Sequence, residues 1–356
     1  MKNKTNVGIV FGGRSGEHEV SLQSAYNVIC AIDRESYELT LIGITKEGVF
    51  KLYVGDTEKI KDGTWNEDEK DLISDFNIFS DPRIKKIDIF FPILHGTFGE
   101  DGTIQGMFEM MNVPYVGCSV LASAVAMDKD IAKKVFEGVG IPVVPCRVLS
   151  RSVLRETGEN VANELEEMLS YPMFIKPANM GSSVGISKAH DRDALFRGLD
   201  EAFKYDDKVL IEQFIEGREI EVAVLGNKDI VASDAGEILP CHEFYDYEAK
   251  YLTSNASEVI IPSRLDAFEM EQIKKYAVRA FKAIGGTGLS RVDFFVTKDS
   301  KIYINEINTM PGFTNISMYP KLWDNMGLSY EDLITKLIDL GFDNYNNRKK
   351  LSFKKV

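Results

Sequence analysis

The residues best suited to chemistry lie late in the chain. The stretch GLSRVDFFVTKDSKIYINEIN (288–308) reads as two alternating strands around the turn KDSK. With that turn centred on Asp299 and Ser300, Phe295 pairs with Ile304, Asp293 with Glu306, and Arg291 with Asn308. All six side chains then share a face, because register decides the face of every residue. Two opposed carboxylates stand about 5 Å apart at Cβ and repel unless a cation lies between them. Asp293, Glu306 and the Asn308 carbonyl are hard oxygen donors, the set that holds Mg²⁺ together with substrate phosphates. An ordinary surface hairpin with an Arg–Glu pair has the same local pattern.

A phosphate-binding pattern precedes it. In KPANMGSSVGIS (176–187), Lys176 ends an apolar strand and is followed by a loop containing Gly181, Ser182 and Ser183. Glycine lets backbone N–H groups approach anionic oxygens, and hydroxyls add donors. No GK[ST] follows, so this is not a Walker loop, and a flexible hairpin tip has similar composition. Lys129 falls in the first turn of a helix, where most lysines are simply solvated. Glu212 and Glu219, in KVLIEQFIEGREIEV, follow apolar strand residues. Such an edge suits adenine and ribose hydroxyls, although solvated strand ends look alike. Each signal is weak, but their order along the chain is coherent.

The elements that must position these residues fall into three units, 1–125, 126–220 and 221–356. Strands at 6–11, 37–45 and 87–96 with helices near 20–32 and 101–112 predict an open α/β sheet. Charged, irregular sequence at 46–85 interrupts it. Helices near 127–140, 160–170 and 192–204, with strands at 141–149, 173–177 and 208–215, predict a second, α+β unit. The third begins at 219 and holds a helix at 266–284, the hairpin and a last helix near 328–341. The tail NNRKKLSFKKV reads as a solvated basic end.

At 356 residues the chain is long enough for two or three domains. Its 44% hydrophobic and 27% charged residues are those of a soluble globular protein. No run approaches the roughly 20 apolar residues of a membrane span. The start MKNKTNVGIVFGG lacks a signal-peptide core, which makes the cytoplasm the expected location. Cys30, Cys118, Cys146 and Cys241 form no CxxC pair and read as free buried thiols. A net charge of −13 argues against a nucleic-acid partner. It does not exclude a nucleotide, whose phosphates need only a local cation cluster.

Seven motifs, in order, resemble the ATP-grasp ligases and among them the D-alanine–D-alanine ligases. They are FGGRSGEHEVS (11–21), LHGTFGEDGTIQG (94–106), AMDKDIAKK (126–134), KPANMGSSVG (176–185), EFYDYEAKY (243–251), SRVDFF (290–295) and NEINTMPGFTNISMYP (305–320). The resemblance spans essentially the whole chain. It implies an ATP-grasp fold behind an N-terminal Rossmann-like domain. It also implies a homodimeric cytoplasmic enzyme that makes D-alanyl-D-alanine for peptidoglycan from ATP and two D-alanines, with two Mg²⁺ or Mn²⁺ ions.

Position by position, the resemblance gives the metals to Asp293, Glu306 and Asn308, and the ATP phosphates to Lys129, Lys176 and the loop of Ser182 and Ser183. It puts Glu212, Phe214 and Ile215 on the adenine side and Glu219 on the ribose. Glu17 is implied to hold the first D-alanine's ammonium, in a subsite completed by Ser182 and Tyr251. Arg291 and the backbone near Gly312 match oxyanion stabilisers. Ser317 matches the residue holding the second carboxylate, and Lys250 lies in a closing loop. His95 sits at a strand end facing the site, where a structural and a direct role are equally open. Glu100 and Asp101 are expected to begin the next helix. Lys250-Tyr251 and the apolar Met318 after Ser317 favour D-alanine as second substrate over D-lactate or D-serine. GGRSGE lacks the GxGxxG spacing of a dinucleotide-binding oxidoreductase. Other ATP-grasp enzymes would not share EFYDYEAKY or NISMYP. A catalytically silent binding relative would be expected to have lost a metal ligand or Arg291.

Overall fold

The computed structural model describes residues 4–158, 160–181, 184–240 and 257–352. The first sheet contains β1 (Thr5–Gly12), β2 (Tyr37–Ile44), β3 (Phe50–Tyr53) and β4 (Ile89–Pro92) in the order β3-β2-β1-β4. β1 pairs in parallel with both β2 and β4, and β3 runs antiparallel to β2. GIVF in β1 is buried without alternation, as a parallel strand covered on both faces should be. Helix α1 (His18–Ala31) follows β1. The interrupting segment contributes β3 and a single helical turn, α2 (Glu58–Lys61). Helix α3 (Thr103–Met111) begins two residues later than the sequence implies, because Gly102 is left-handed and Asp101 accepts from Phe98 and Thr103 in the loop.

Helices α4 (Val120–Met127) and α5 (Lys129–Gly138) are separate, joined at Asp128, whose carboxylate caps Ile131. The second sheet has β5 (Cys146–Ser150), β6 (Met173–Pro177), β7 (Ser187–Ala189) and β8 (Lys208–Gln213) in the antiparallel order β5-β8-β6-β7. It is covered by α6 (Arg151–Thr157), α7 (Asn160–Met168) and α8 (Arg192–Ala202), with Leu165, Ile175, Leu199 and Ile211 in its own core.

The third sheet contains β9 (Gly217–Leu225), β10 (Val231–Ala232), β11 (Gly236–Pro240), β12 (Ser257–Ile260), β13 (Leu289–Thr297) and β14 (Ile302–Asn308). Its main order is β12-β11-β9-β13-β14, with β10 on β9. Thus β9 begins before the expected boundary at 220. Helix α9 (Ala267–Ala283) starts in a capping box formed by Asp266 and Glu269 and packs against this sheet.

Two packing features differ from the linear division into units. The apolar side of α5, Ala132 and Phe136, lies in the third sheet's core beside Ile220, Phe294 and Ile304, although α5 falls in the second unit by sequence. A second core joins Val7, Ile9 and Phe91 of the first sheet to Ala223 and Ile238 of the third. Helices α10 (Met318–Asn325) and α11 (Tyr330–Arg348) complete that core through Leu322, Leu333 and Leu337. The sequence did not predict α10. The start of the basic tail is helical, and Arg348 pairs with Glu109 at 2.6 Å. Of the described cysteines, all free, only Cys118 is buried; Cys30 is exposed, and Cys241 lies outside the described residues.

Helix α11 meets the first unit at Gly341. A Cβ there would stand 2.7 Å from Ile89 Cδ1 and 2.8 Å from the Tyr115 carbonyl oxygen. Gly341→Ala should therefore destabilise the fold by about 1–3 kcal/mol, as overpacking does. The measurement is a drop of several degrees in the thermal unfolding midpoint.

Candidate active site

The carboxylate hairpin forms, with a different turn from the one the sequence suggested. Thr297 N–H donates to Lys301 O, and Ser300 is left-handed at φ 58°, closing a three-residue loop. Phe294 consequently pairs with Ile304, and Phe295 with Tyr303. A β-bulge at Asn305 then inserts one residue. Beyond it, Asp293 faces Glu306, Val292 faces Ile307 and Arg291 faces Asn308, as expected. The correction concerns Ile304, which joins Phe294 in the core instead of sharing the ligand face. The bulge gives Asn305 and Glu306 the same side in succession.

Around this face the charges interlock. Arg291 donates to both Asp293 oxygens, at 2.7 and 2.6 Å, and its Nε lies 3.0 Å from Glu221 Oε2. Asn308 Nδ2 donates to Asp293 Oδ2 at 3.2 Å. Lys129 Nζ, from α5, donates to Met180 O at 2.7 Å and lies 3.6 Å from Glu306. Lys176 Nζ, from β6, lies 2.6 Å from Glu212 and 3.4 Å from Asn305 Oδ1. The other Glu212 oxygen is 2.8 Å from Lys133 Nζ. Glu212, expected on the adenine side, thus turns its carboxylate to two lysines and is 2% exposed.

A cleft is lined by Glu17 and His95 from the first unit, Lys129 from α5, and Arg291, Glu306, Asn308 and Gly312 from the third. The Glu17 carboxylate fits only because its neighbours lack side chains: a Cβ on Gly96 or Gly181 would stand 2.5 or 2.6 Å from Oε2. His95 contacts Met310 O at 2.9 Å through Nδ1 and Ser24 Oγ at 3.0 Å through Nε2. Burial works against its charge, but the Glu100 and Glu17 carboxylates and the Met310 carbonyl outweigh that and raise its pKa. Glu100 is not a helix residue; it accepts from Gly96 N–H and sits 3.6 Å from His95.

Ser317 precedes α10, and its Oγ accepts from Thr314 N–H. That oxygen lies 2.7 Å from where a Gly312 Cβ would be. Met318, read in the sequence as favouring D-alanine, is buried over Gly236 in the shared core. Phe214 lies outside the main cleft, 6.0 Å from Phe174 ring to ring, beneath Lys188 at 4.3 Å. Ile215 follows it, half-buried. Glu219, with Asp293, Asn305 and Glu306, lines a smaller adjoining recess. Phe174 was not anticipated, though its two-residue spacing from Lys176 places both on one strand face and could have marked it. No comparable local signal singled out Lys133 or Glu221. Ser182, Ser183, Lys250 and Tyr251 lie outside the described residues.

Residues 6–118 match the family described as D-ala D-ala ligase N-terminus, and 135–339 match D-ala D-ala ligase C-terminus. The chain belongs to the D-alanine–D-alanine ligase family. The D-alanine–D-alanine ligase of Acetivibrio thermocellus is 51% identical, over 98% of this chain and 99% of that protein. The one from Ruminiclostridium cellulolyticum is 49% identical, over 98% of each. The solved D-alanine–D-alanine ligase of Coxiella burnetii superposes with TM-score 0.86 at 37% identity, covering 98% of this chain and 96% of that one. The VanG D-Ala:D-Ser ligase of Enterococcus faecalis gives 0.85 at 40%, covering 95% and 100%.

Within this member of the ligase family, Glu212 carries a directional pH dependence. Burial raises its pKa, but Lys133 and Lys176 overcome burial and lower it from 4.5 to about 2. A carboxyl depressed on folding stabilises the native state above its ordinary value, and that stability is lost as pH falls through the folded value. Stability should thus decline between about pH 4.5 and 2. Glu212→Gln should be less stable at pH 7 by roughly 3–5 kcal/mol, because it leaves buried lysine charge uncompensated. It should also show less change across that acid window. Denaturant unfolding at pH 7 and at pH 3 checks both.

Proposed function

We propose that this chain joins two D-alanines into D-alanyl-D-alanine at the expense of ATP, through a D-alanyl phosphate. The observation that carries this is the convergence, in one cleft, of Glu17, Glu306, Asn308, Arg291 and Lys129, with Asp293 paired to Arg291 and lining the adjoining recess. Lys176 stands next to Asn305 beside it. Glu17 takes the ammonium of the first D-alanine, and that substrate's carboxylate attacks the γ-phosphoryl group, breaking its bond to the bridging oxygen so that ADP leaves and D-alanyl phosphate forms. Lys129 and Lys176 offset the phosphate charge. The free amine of the second D-alanine then attacks the acyl carbon. Arg291 and the Gly312 N–H meet the developing oxyanion, Ser317 fixes the second carboxylate, and inorganic phosphate leaves as the amide bond forms and the amine loses a proton. His95, buried against Met310 and Ser24, holds the Glu17 side of the subsite together. Phe214, Ile215 and Glu219 receive the nucleoside, while Ser182, Ser183, Lys250 and Tyr251 close over the reactants and exclude water.

Asp293, Glu306 and Asn308 fit Mg²⁺ or Mn²⁺. A carboxylate has about four acceptor positions, so the two bonds from Arg291 leave Asp293 capacity for an ion, and Asn308 can turn its amide to present oxygen. Among the described residues no group of three or more His, Cys, Asp or Glu could hold a metal alone. Two carboxylates and an amide oxygen would leave a magnesium ion to complete its shell with phosphates and water. When bound, the ions supply charge neutralisation at the phosphoryl group.

We assign the three units to 1–125, 126–220 and 221–356, with the first D-alanine held by the first unit and the nucleotide between the other two. Among the described residues no helix is long and apolar enough to cross a membrane. We place the reaction in the cytoplasm, where ATP is available, and read the enzyme as a homodimer supplying the peptidoglycan dipeptide. The similarity to a D-Ala:D-Ser ligase makes D-serine the second reading for the acceptor. Phosphate release with ATP and Mg²⁺, with products identified by mass, separates the two. D-alanine alone should suffice, and Glu306→Gln should lower turnover on the order of 10²–10³-fold. Release only with a D-alanine/D-serine mixture would favour the second reading.

A further inference from the structure

Lys133 is the least expected charge near the site. It lies one helical turn after Lys129 on α5, is 3% exposed, and does not line the cleft that Lys129 lines. Its ammonium is 2.8 Å from Glu212 Oε1, while Lys176 is 2.6 Å from Oε2. A lysine buried this deeply needs a compensating function or partner. The partner is Glu212, but Glu212 already has Lys176. One carboxylate paired with one lysine is neutral, and a neutral pair attracts an incoming phosphate weakly. Lys176 also feels the Glu306 and Glu219 carboxylates, which cancel its charge further.

We propose that Lys133 is a charge-balancing residue for nucleotide phosphates: by sharing Glu212, it leaves Lys176 with positive charge to offer. It touches no substrate, so it acts through Glu212 and Lys176 as a positioning residue. The fold supports this division of labour. Ala132 and Phe136 anchor α5 in the third sheet's core, whereas Lys133 reaches across to β8 of the second sheet. The inference rests on the proposed ATP-dependent reaction and names one more residue serving it.

The test compares wild type, Lys133→Met and Lys133→Arg by calorimetric titration with ADP and Mg²⁺, and by steady-state kinetics. Methionine keeps the aliphatic stem and removes the charge. It should weaken ADP and raise KM for ATP roughly tenfold, leaving KM for D-alanine unchanged. Arginine, which restores the charge, should return ADP affinity to near the wild-type value. An unchanged ADP affinity in Lys133→Met overturns the proposal, as does an equal loss in Lys133→Arg. A general loosening of the fold would move the D-alanine KM as well, and that also counts against it. If Lys133→Met does not fold, Lys133→Gln retains a donor for Glu212 and gives the same comparison. If wild type itself fails to bind ADP, the nucleotide reading falls too, whereas wild-type binding with an insensitive Met variant removes only the role of Lys133.

Discussion

Glu221 on β9, Asp293 on β13 and Glu306 on β14 occupy one row across three adjacent strands, and Glu219 stands beside them opposite Phe295. Neighbouring strands are only about 4.8 Å apart, so this face concentrates negative charge. The surrounding structure supplies cations from three directions. Arg291 comes from the same sheet, Lys129 from the helix packed against it, and Lys176 from the neighbouring sheet. None of these cations is free to leave, because each is held by a second contact. The face is a charge balance between clustered carboxylates and cations held from three directions.

That balance explains why α5 is two-faced. Its apolar side packs in the third sheet's core, where Lys129 also lies near Glu306, while Lys133 reaches Glu212 on the second sheet, so the helix touches both sheets at once. One helix thereby ties the carboxylate face of the third sheet to the buried Glu212 of the second.

Much of this was legible from the sequence. Alternation identified the hairpin, the buried run identified β1, and the family motifs singled out Glu17, Lys129, Arg291, Glu306 and Asn308, which line one cleft. The pairing of Asp293 with Glu306 was correct for a reason the sequence did not reveal: an odd-length turn and a one-residue bulge offset each other. A bulge has no compositional marker, and Asn305 looks like any other strand residue. The end of α11 was also hidden, since NNR reads as tail until Arg348 finds Glu109. Helix α10 contains Pro320, which a linear reading treats as a stop, yet proline is tolerated within the first turn. Partners distant in sequence explain Lys133 and Glu221 in the same way.

The core that joins the first and third units contains Val7 at one end of the chain and Ile338 near the other. Synthesis proceeds from the N-terminus, and domains generally fold as they emerge. The second sheet, with a core drawn from residues 149–211, has all of its partners once that stretch is released. The first sheet is independent on one face only, where Val10, Ile42, Phe90 and Phe108 form a local core. Its other face is covered early by α1, through Leu22 and Val28, but also packs against Leu333 and Leu337 of α11. That face is finished only after α11 has been synthesised, so the middle of this chain can be complete before its beginning.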